Sequence, residues 1–213
     1  MSTWDDVDRY IGELFVGDEL GFVLEESDAA GLPAIAVSPA QGKFLNLLAR
    51  AMGAKAILEV GTLGGYSTIW LARALPPDGR LVTLEYEAKH AEVAGSNLVR
   101  ARVADLVEIR VGAALDNWPD GDVFDLVFID ADKETYPAYF ERTLDVVRPG
   151  SVIVADNVVR DGEVVNRATR DERVQAVQKM NEMMARSPRV DATVLQTVGV
   201  KGHDGFAVAL VLA

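Results

Sequence analysis

The pattern of apolar and polar positions divides the chain into a helical first quarter and a longer part in which strands and helices alternate. Apolar residues recur at helical spacing from Trp4 to Phe15 and again from Phe44 to Met52. Gly31-Leu32-Pro33 interrupts the first pattern, and Ser38-Pro39 is typical of a helix start. We therefore expect residues 1–54 to be a helical N-terminal region that forms a lid or a dimer contact.

Short apolar runs predict a parallel sheet after this region. The runs are Ala56–Val60, Arg80–Glu85, Leu106–Val111, Phe124–Asp130 and Ser151–Ala155. The first four are each followed by a predicted helix, at Gly65–Leu75, Glu87–Arg102, Ala114–Trp118 and Lys133–Val147. Buried strands separated by helices are typical of a parallel sheet with helices on both faces.

The last part of the chain predicts one more helix and a hairpin. Asp171–Ser187 has helical spacing, and Val190–Thr197 and Phe206–Leu212 have strand character. Gly199–Gly205 is too short for a crossover helix, so the two strands must be antiparallel. We expect one α/β domain over residues 1–213, with a Rossmann-like core in residues 55–213.

Charge and composition restrict the partners. The net charge is −12 and there is no cysteine. An acidic surface repels phosphate backbones and anionic membranes, and without cysteine there is no disulfide, thiolate nucleophile or cysteine-based zinc site. The N-terminus lacks the features of a signal peptide, and no apolar run is long enough to span a membrane. We expect a cytoplasmic protein that binds neither nucleic acid nor membranes.

A glycine-rich turn follows the first predicted strand. Gly61, Gly64 and Gly65 form the pattern G-x-x-G-G, which differs from the G-x-G-x-x-G of pyrophosphate-binding turns. Glu59 precedes the turn, where its carboxylate would repel a pyrophosphate but would suit the ammonium and sulfonium groups of S-adenosylmethionine. The pattern alone is also compatible with an ordinary strand–helix turn.

Glu85 strengthens the interpretation as a nucleoside site. It ends the second predicted strand, about 20 residues after the glycines, where an acidic side chain can accept both ribose hydroxyl protons. NAD and S-adenosylmethionine share this ribose, so Glu85 does not distinguish them. Arg110–Ala114, after the third strand, offers small residues against which an adenine ring could lie.

Oxygen-bearing side chains follow two later strands. Asp130 comes after the fourth strand, and Asp156 and Asn157 come after the fifth. Ligands of open α/β sheets bind at the carboxyl ends of the strands, and such oxygens suit Mg²⁺ or Ca²⁺. Strand-end carboxylates can instead be solvated or cap a helix, which we expect of Asp132.

Lys133 is the candidate general base. It lies three residues after Asp130, and a dication and a sulfonium nearby would disfavour its charged form. A neutral lysine can remove a proton from a substrate hydroxyl. The alternative is a helix lysine in a surface ion pair.

With these motifs the chain, from about Leu32 to the C-terminus, resembles the cation-dependent O-methyltransferases, typified by catechol and caffeoyl-coenzyme A O-methyltransferases. The segments that carry the resemblance are Glu59–Ser67, Phe128–Lys133 and Asp156-Asn157. The resemblance implies a class I methyltransferase fold with a seven-stranded sheet, S-adenosylmethionine as cofactor, a divalent metal (Mg²⁺, with Ca²⁺ or Mn²⁺ as alternatives), a small aromatic diol as acceptor and a homodimer.

The resemblance also implies roles for individual residues. It makes Asp130, Asp156 and Asn157 the metal ligands, and it makes Lys133, with Asp130, catalytic. The residues that it implies for cofactor binding are Val37, Glu59, Gly61, Thr62, Gly65, Ser67, Glu85, Ala114, Asp130 and Tyr139.

The chain departs from the plant members of the family after the Asp-Asn pair. Val158-Val159-Arg160 stands where those enzymes have tryptophan, and the loop Asp161–Arg170 also differs. Such loops shape the acceptor pocket, so caffeoyl-coenzyme A is not implied. Three other functions stay open: an NAD-dependent oxidoreductase, a non-catalytic dimer that binds S-adenosylmethionine, and a methyltransferase acting on a macromolecule.

Overall fold

The computed structural model describes residues 3–212 and contains the predicted alternation of strands and helices. The helices are α1 (Thr3–Ile11), α2 (Gly21–Ala29), α3 (Pro39–Ala51), α4 (Tyr66–Ala72), α5 (Ala88–Arg100), α6 (Tyr136–Thr143) and α7 (Glu172–Arg186). The strands are β1 (Ala56–Val60), β2 (Arg80–Glu85), β3 (Val107–Val111), β4 (Phe124–Ile129), β5 (Val147–Asp156), β6 (Val190–Gly199) and β7 (Gly202–Val211).

The strands follow the order β3-β2-β1-β4-β5-β7-β6 in a seven-stranded sheet. β1 to β3 pair in parallel, β4 pairs in parallel with β5, and β7 is antiparallel to both β5 and β6. The predicted fold class, a mostly parallel sheet that ends in an antiparallel hairpin, is confirmed. The chain divides into two compact units, residues 1–118 and 119–213, whereas the prediction of a single domain stays untested.

In the first unit, β1 and β2 are almost wholly buried between helices. Four of the five side chains of β1 are buried, as are five of the six of β2. α3 begins where Ser38-Pro39 predicted, since the Ser38 hydroxyl accepts a hydrogen bond from the Gln41 N–H at 3.3 Å. α1 buries none of its side chains, and Trp4 and Tyr10 remain exposed.

In the second unit, β4 and the end of β5 form the buried centre. α7 begins at the Asp171 cap, which accepts a hydrogen bond from Arg173 N–H at 2.9 Å. It buries the predicted apolar face, made of Val174, Val177, Met180 and Met184. The apolar spacing in the sequence therefore predicted the face of α7 that is buried.

Several boundaries of the predicted elements are wrong, among them the start of the fifth strand, which lies at Val147 and not at Ser151. The helix predicted at Ala114–Trp118 is a turn, because a run of five residues before Pro119 is too short to propagate a helix. The helix predicted up to Val147 ends at Thr143, since β5 already begins at Val147. The hairpin connection is shorter than Gly199–Gly205, because β6 and β7 pair up to Gly199 and Gly202.

Gly205 in β7 gives a test of the packing of the hairpin. A Cβ atom at this position would lie 2.4 Å from the Leu195 carbonyl oxygen and 2.7 Å from Cγ2 of Val159. Since backbone cannot move away cheaply, Gly205→Ala is expected to lower the free energy of unfolding by about 1–3 kcal/mol. Gly95→Ala in α5, where a Cβ would meet nothing within 4 Å, is the control and should raise it by about 0.5–1 kcal/mol. Chemical denaturation measures both, and equal stability of Gly205→Ala and the parent would contradict this packing.

No helix among residues 3–212 is both long enough and apolar enough to cross a membrane.

Candidate functional site

The glycine-rich turn between β1 and α4 is held in a conformation that only glycine adopts readily at two positions. Gly61 has φ +99° and Gly65 has φ +86°. The Gly61 N–H donates to the Leu84 carbonyl at 2.9 Å, and Gly65 N–H donates to the Thr62 carbonyl at 2.9 Å. The first hydrogen bond attaches the turn to the end of β2, and the second closes the turn just before α4 begins.

Glu85 is buried at the end of β2 and holds this turn. Its Oε2 accepts hydrogen bonds from the backbone N–H groups of Thr62 at 3.0 Å and Leu63 at 2.8 Å. Its Oε1 accepts from Glu87 N–H at 3.0 Å and lies 3.1 Å from Nδ1 of His90. A carboxylate offers about four lone-pair positions, so a bound hydroxyl would share or replace one of these contacts. The His90 ring is the only side chain among the four partners.

The contact between Glu85 and His90 was not predicted. The sequence placed His90 at the start of a charged helix, where it had no assigned role. Its side chain is 22% exposed and comes back to the carboxylate five residues earlier. Only the local path of the chain after β2 brings the two groups together.

Glu59 lies inside the first unit and is fully buried. Its Oε2 accepts hydrogen bonds from the hydroxyls of Thr68 at 2.5 Å and Thr83 at 2.8 Å. The Thr83 hydroxyl lies 2.6 Å from that of Thr62, so hydroxyl groups link Glu59 to the glycine-rich turn. A buried carboxylate is costly without such donors. Its predicted contact with the ammonium of the cofactor stays a prediction.

The other cofactor-binding candidates of the first unit lie at element ends. Val37 is buried just before the cap of α3, and Ser67 is half-buried in the first turn of α4. Ala114 is half-buried in the turn that follows β3. Gly61, Thr62 and Gly65 form the turn itself, so the structure brings these three together with Glu85.

In the second unit, the pairing of β4 with β5 brings two carboxylates to neighbouring strand ends. Ile129 of β4 pairs with Ala155 of β5. Asp130 comes directly after Ile129, and Asp156 comes directly after Ala155, so the two residues stand at matching positions of adjacent strands. Adjacent strands lie about 4.8 Å apart. Asp156 is buried, whereas the side chain of Asp130 is 21% exposed. The predicted convergence of these two residues follows from the observed register.

Asn157 continues β5 with a reversal of the chain. Its φ is +55°, a left-handed conformation that asparagine tolerates better than most residues. Its backbone N–H donates to Oδ1 of Asp156 at 2.8 Å. The two candidate ligands of this strand are therefore fixed relative to each other.

Lys133 contacts one of these carboxylates, that of Asp130, directly. Its Nζ lies 2.9 Å from Oδ1 of Asp130 and 2.6 Å from the hydroxyl of Tyr136, and its side chain is 11% exposed. A short 3₁₀ turn, Lys133–Thr135, turns the side chain back over the end of β4. The alternative interpretation, a lysine in an exposed surface ion pair, does not fit this burial.

Tyr136 was not identified in the sequence. It is completely buried, and its hydroxyl lies 3.0 Å from the Asp156 carbonyl and 3.3 Å from the Ile129 carbonyl. Burial raises its pKa well above the usual value, and Asp130, Asp156 and Asp204 raise it further, whereas Arg160 lowers it. A neutral phenol donates to a carbonyl and accepts from the Lys133 ammonium, so Tyr136 positions Nζ.

A second side-chain contact joins Tyr139 in α6 to Asp132, which precedes the 3₁₀ turn. The Tyr139 hydroxyl donates to Oδ1 of Asp132 at 2.6 Å, and burial, followed by this hydrogen bond, raises the pKa of Tyr139. Asp132 also accepts from the hydroxyl of Thr135. Asp132 stands at the N-cap of the 3₁₀ turn, but its side chain makes no capping bond to a backbone N–H, so its expected role as a solvated or capping residue stays a prediction, as does the cofactor contact of Tyr139.

Asp204 holds the segment that follows Asn157. Its Oδ1 accepts from the backbone N–H groups of Val159 at 3.1 Å, Arg160 at 2.9 Å and Gly205 at 3.0 Å. The sequence gave no signal of this role, because Asp204 lies in the hairpin, more than 40 residues after the segment it binds.

The strand ends of the second unit fit a hard divalent cation by their chemistry. Two carboxylates and a carboxamide offer oxygen ligands, which Mg²⁺ and Ca²⁺ prefer. No group of three His, Cys, Asp or Glu side chains that could hold a metal occurs within residues 3–212, so a metal here depends on the amide oxygen of Asn157. Like charges at adjacent strand ends need a counter-charge, and Lys133 supplies one.

These features define a Rossmann-like α/β protein with a glycine-rich turn after β1 and an acidic site at the ends of β4 and β5. A family model described as O-methyltransferase matches residues 20–210. The chain belongs to this family of O-methyltransferases. The predicted class of enzyme is confirmed, and the oxidoreductase alternative is set aside.

Close relatives cover the whole chain. A catechol O-methyltransferase from Niastella koreensis is 50% identical over 99% of this chain and 98% of its own length. One from Mycobacterium tuberculosis is 55% identical over 97% of this chain and 95% of its own. The crystal structure of the O-methyltransferase from Bacillus cereus in complex with SAH has a TM-score of 0.95 and 53% identity, covering 98% of both chains.

Proposed function

We propose that this O-methyltransferase transfers the methyl group of S-adenosylmethionine to one hydroxyl of a small catechol-type acceptor and needs a divalent metal to do so. Asp130, Asp156 and Asn157 would hold the metal, and Lys133 would be the general base. One observation carries the proposal: the register of β4 and β5 brings Asp130 and Asp156 to neighbouring strand ends, with Nζ of Lys133 2.9 Å from Oδ1 of Asp130.

The names of two relatives support the proposed acceptor, and the ligand in one similar structure supports the proposed cofactor. Two relatives with at least 50% identity are named catechol O-methyltransferase, and a similar structure contains SAH. A ligand with two adjacent oxygens matches a metal that has only three protein ligands, since Mg²⁺ keeps several positions for waters and substrate. The acidic strand ends also suit a metal better than they suit an anionic cofactor.

The chain's own residues would divide the chemistry as follows. When bound, the metal would orient the two acceptor oxygens and favour ionisation of one hydroxyl. In its neutral form Lys133 would accept the hydroxyl proton at Nζ, which Tyr136 holds in position, and would become the ammonium that pairs with Asp130. The acceptor oxygen then forms a bond to the methyl carbon while the carbon–sulfur bond breaks, and S-adenosylhomocysteine leaves. Alignment of the two reactants supplies much of the rate.

Binding of the cofactor would rest on the first unit. Glu85 would accept hydrogen bonds from the ribose hydroxyls, with His90 giving up its contact. The backbone N–H groups that Glu85 already binds hold its carboxylate in a fixed orientation. The glycine-rich turn would allow close approach of the ligand to the backbone.

Removal of the metal tests the proposal most directly. Methylation of catechol by the full chain is expected to fall at least about 100-fold in excess chelator, because orientation and ionisation of the acceptor are both lost. Added Mg²⁺ should restore the rate, and thermal unfolding in chelator checks that the protein stays folded. Full activity in excess chelator would refute the metal role.

Two further predictions accompany this function. A homodimer, implied by the resemblance, would cover apolar side chains of the edge strand β6, where Leu195 is 49% and Val198 51% exposed. A cytoplasmic location also stays a prediction.

A further inference from the structure

Among the residues that the structure describes, the guanidinium group of Arg160 has no hydrogen-bond or ion-pair partner. Its Nε is buried and makes no hydrogen bond, and its side chain forms no ion pair with any of residues 3–212. Arginines elsewhere in the second unit do pair with carboxylates, as Arg142 does with Asp120 and Arg148 with Asp125. A buried N–H donor without an acceptor is costly, so the unsatisfied Nε of this half-buried arginine points to a ligand that completes it.

The backbone of Arg160 is held in a strained conformation. Its φ is +56°, in the left-handed region that arginine rarely adopts. Asp204 binds the N–H groups of Val159 and Arg160 and so fixes this conformation. A strained backbone that its surroundings hold in place fixes the direction in which its side chain leaves the chain. Such strain is often found at functional sites.

The position of Arg160 relates it to the acceptor. It lies three residues after Asn157, in the segment directly after the proposed metal ligands. The Arg160 N–H donates to Oδ1 of Asp204 at 2.9 Å, and Phe206, two residues after Asp204, pairs with Asp156 at the end of β5. The backbone of Arg160 is therefore held next to the strand end at which the diol would bind.

We infer that Arg160 binds a carboxylate carried by the catechol-type acceptor, so that dihydroxy-aromatic acids are preferred over neutral catechols. This inference rests on the proposed function, because it names the substrate class of the same site. Guanidinium and carboxylate groups pair through two parallel hydrogen bonds, which also orient the ring. In a chain of net charge −12, an anionic acceptor needs such a local positive group in order to bind.

Steady-state kinetics with a matched pair of acceptors tests this inference. The acceptors are 3,4-dihydroxybenzoate and its methyl ester, with saturating S-adenosylmethionine and Mg²⁺. Arg160→Gln is expected to raise KM for the acid about 10-fold to 100-fold, the range for hydrogen bonds to charged groups, and to change KM for the ester less than about threefold. Arg160→Lys should recover part of the loss, since it keeps the charge but not the planar pair of donors.

Arg167→Gln is the matched control, because Arg167 is exposed in the same loop and its replacement removes the same charge. Calorimetric titration of the Mg²⁺-loaded protein with the acid gives a readout apart from turnover, and Arg160→Gln should weaken this binding by the same factor. Thermal unfolding of all variants separates loss of fold from loss of binding.

The possible outcomes separate the two proposals. If the parent methylates neither the acid nor the ester, the proposed function fails. If the parent methylates both, and Arg160→Gln leaves KM and the dissociation constant for the acid unchanged, the proposed function stands and the role of Arg160 is overturned.

Discussion

Lys133→Met is expected to lower kcat for methylation of a catechol by about 10²-fold to 10⁴-fold, the contribution of a general base. Methionine has a similar length and no basic nitrogen, so the hydroxyl proton would have no acceptor in the protein. The Lys133 side chain contacts Asp130 and Tyr136, whereas the cofactor is proposed to bind mainly through the first unit, so the dissociation constant for S-adenosylmethionine should change less than about threefold. Single-turnover kinetics and calorimetry measure the two quantities separately.

Two further variants make the result specific to proton transfer. Lys133→Arg keeps the positive charge beside Asp130, but a guanidinium does not deprotonate, so this variant should be as slow as Lys133→Met. Lys179→Met, on the exposed face of α7, is the matched control and should keep the parental rate. A Lys133→Arg enzyme with near-parental kcat would show that the lysine supplies charge rather than a base.

Asp156→Asn is expected to weaken binding of Mg²⁺ by at least about 10-fold to 100-fold and to lower the rate accordingly at fixed metal concentration. A change in the groups that merely orient metal ligands already has an effect of this size. Asparagine keeps an oxygen that can accept from the Asn157 N–H, so the turn after β5 should survive. The fold should not suffer, because the change removes one of two adjacent like charges.

Titration with Mg²⁺ or Mn²⁺ by calorimetry measures the affinity, and kinetics at rising metal concentration should recover part of the lost activity. Asp145→Asn, on an exposed turn after α6, removes the same charge far from the strand ends in sequence and is the matched control. Unchanged metal affinity in Asp156→Asn would place the metal elsewhere and would leave the paired carboxylates without their proposed role.

Much of the candidate site was predictable because its residues follow patterns that are local in sequence. β1 and β2 were predicted to the residue, since each is a short apolar run between turn signals. Asp130 and Asp156 could be placed together because neighbouring parallel strands end at the same edge of a sheet. Lys133 could be added because it lies only three residues after Asp130.

The residues that sequence analysis missed act on partners that no local pattern reveals. Tyr136 appeared as one aromatic among others at the start of α6, but its hydroxyl joins Lys133 to the end of β5. Asp204 appeared to be a polar residue of a hairpin, but it holds the backbone of Arg160. His90 was assigned no role, although it contacts Glu85.

The sequence by itself determined the order of the elements and the residues that bear charge at the strand ends, because each depends on periodicity or on short spacings along the chain. The class of enzyme followed from the resemblance of these motifs to a known family. The tertiary structure alone decided which of those charges are satisfied. Hydrogen bonds and ion pairs depend on distances of about 3 Å between atoms from separate segments. Packing brings Lys133 to Asp130 and Asp204 to the backbone after Asn157, while it leaves the guanidinium of Arg160 without a partner among residues 3–212.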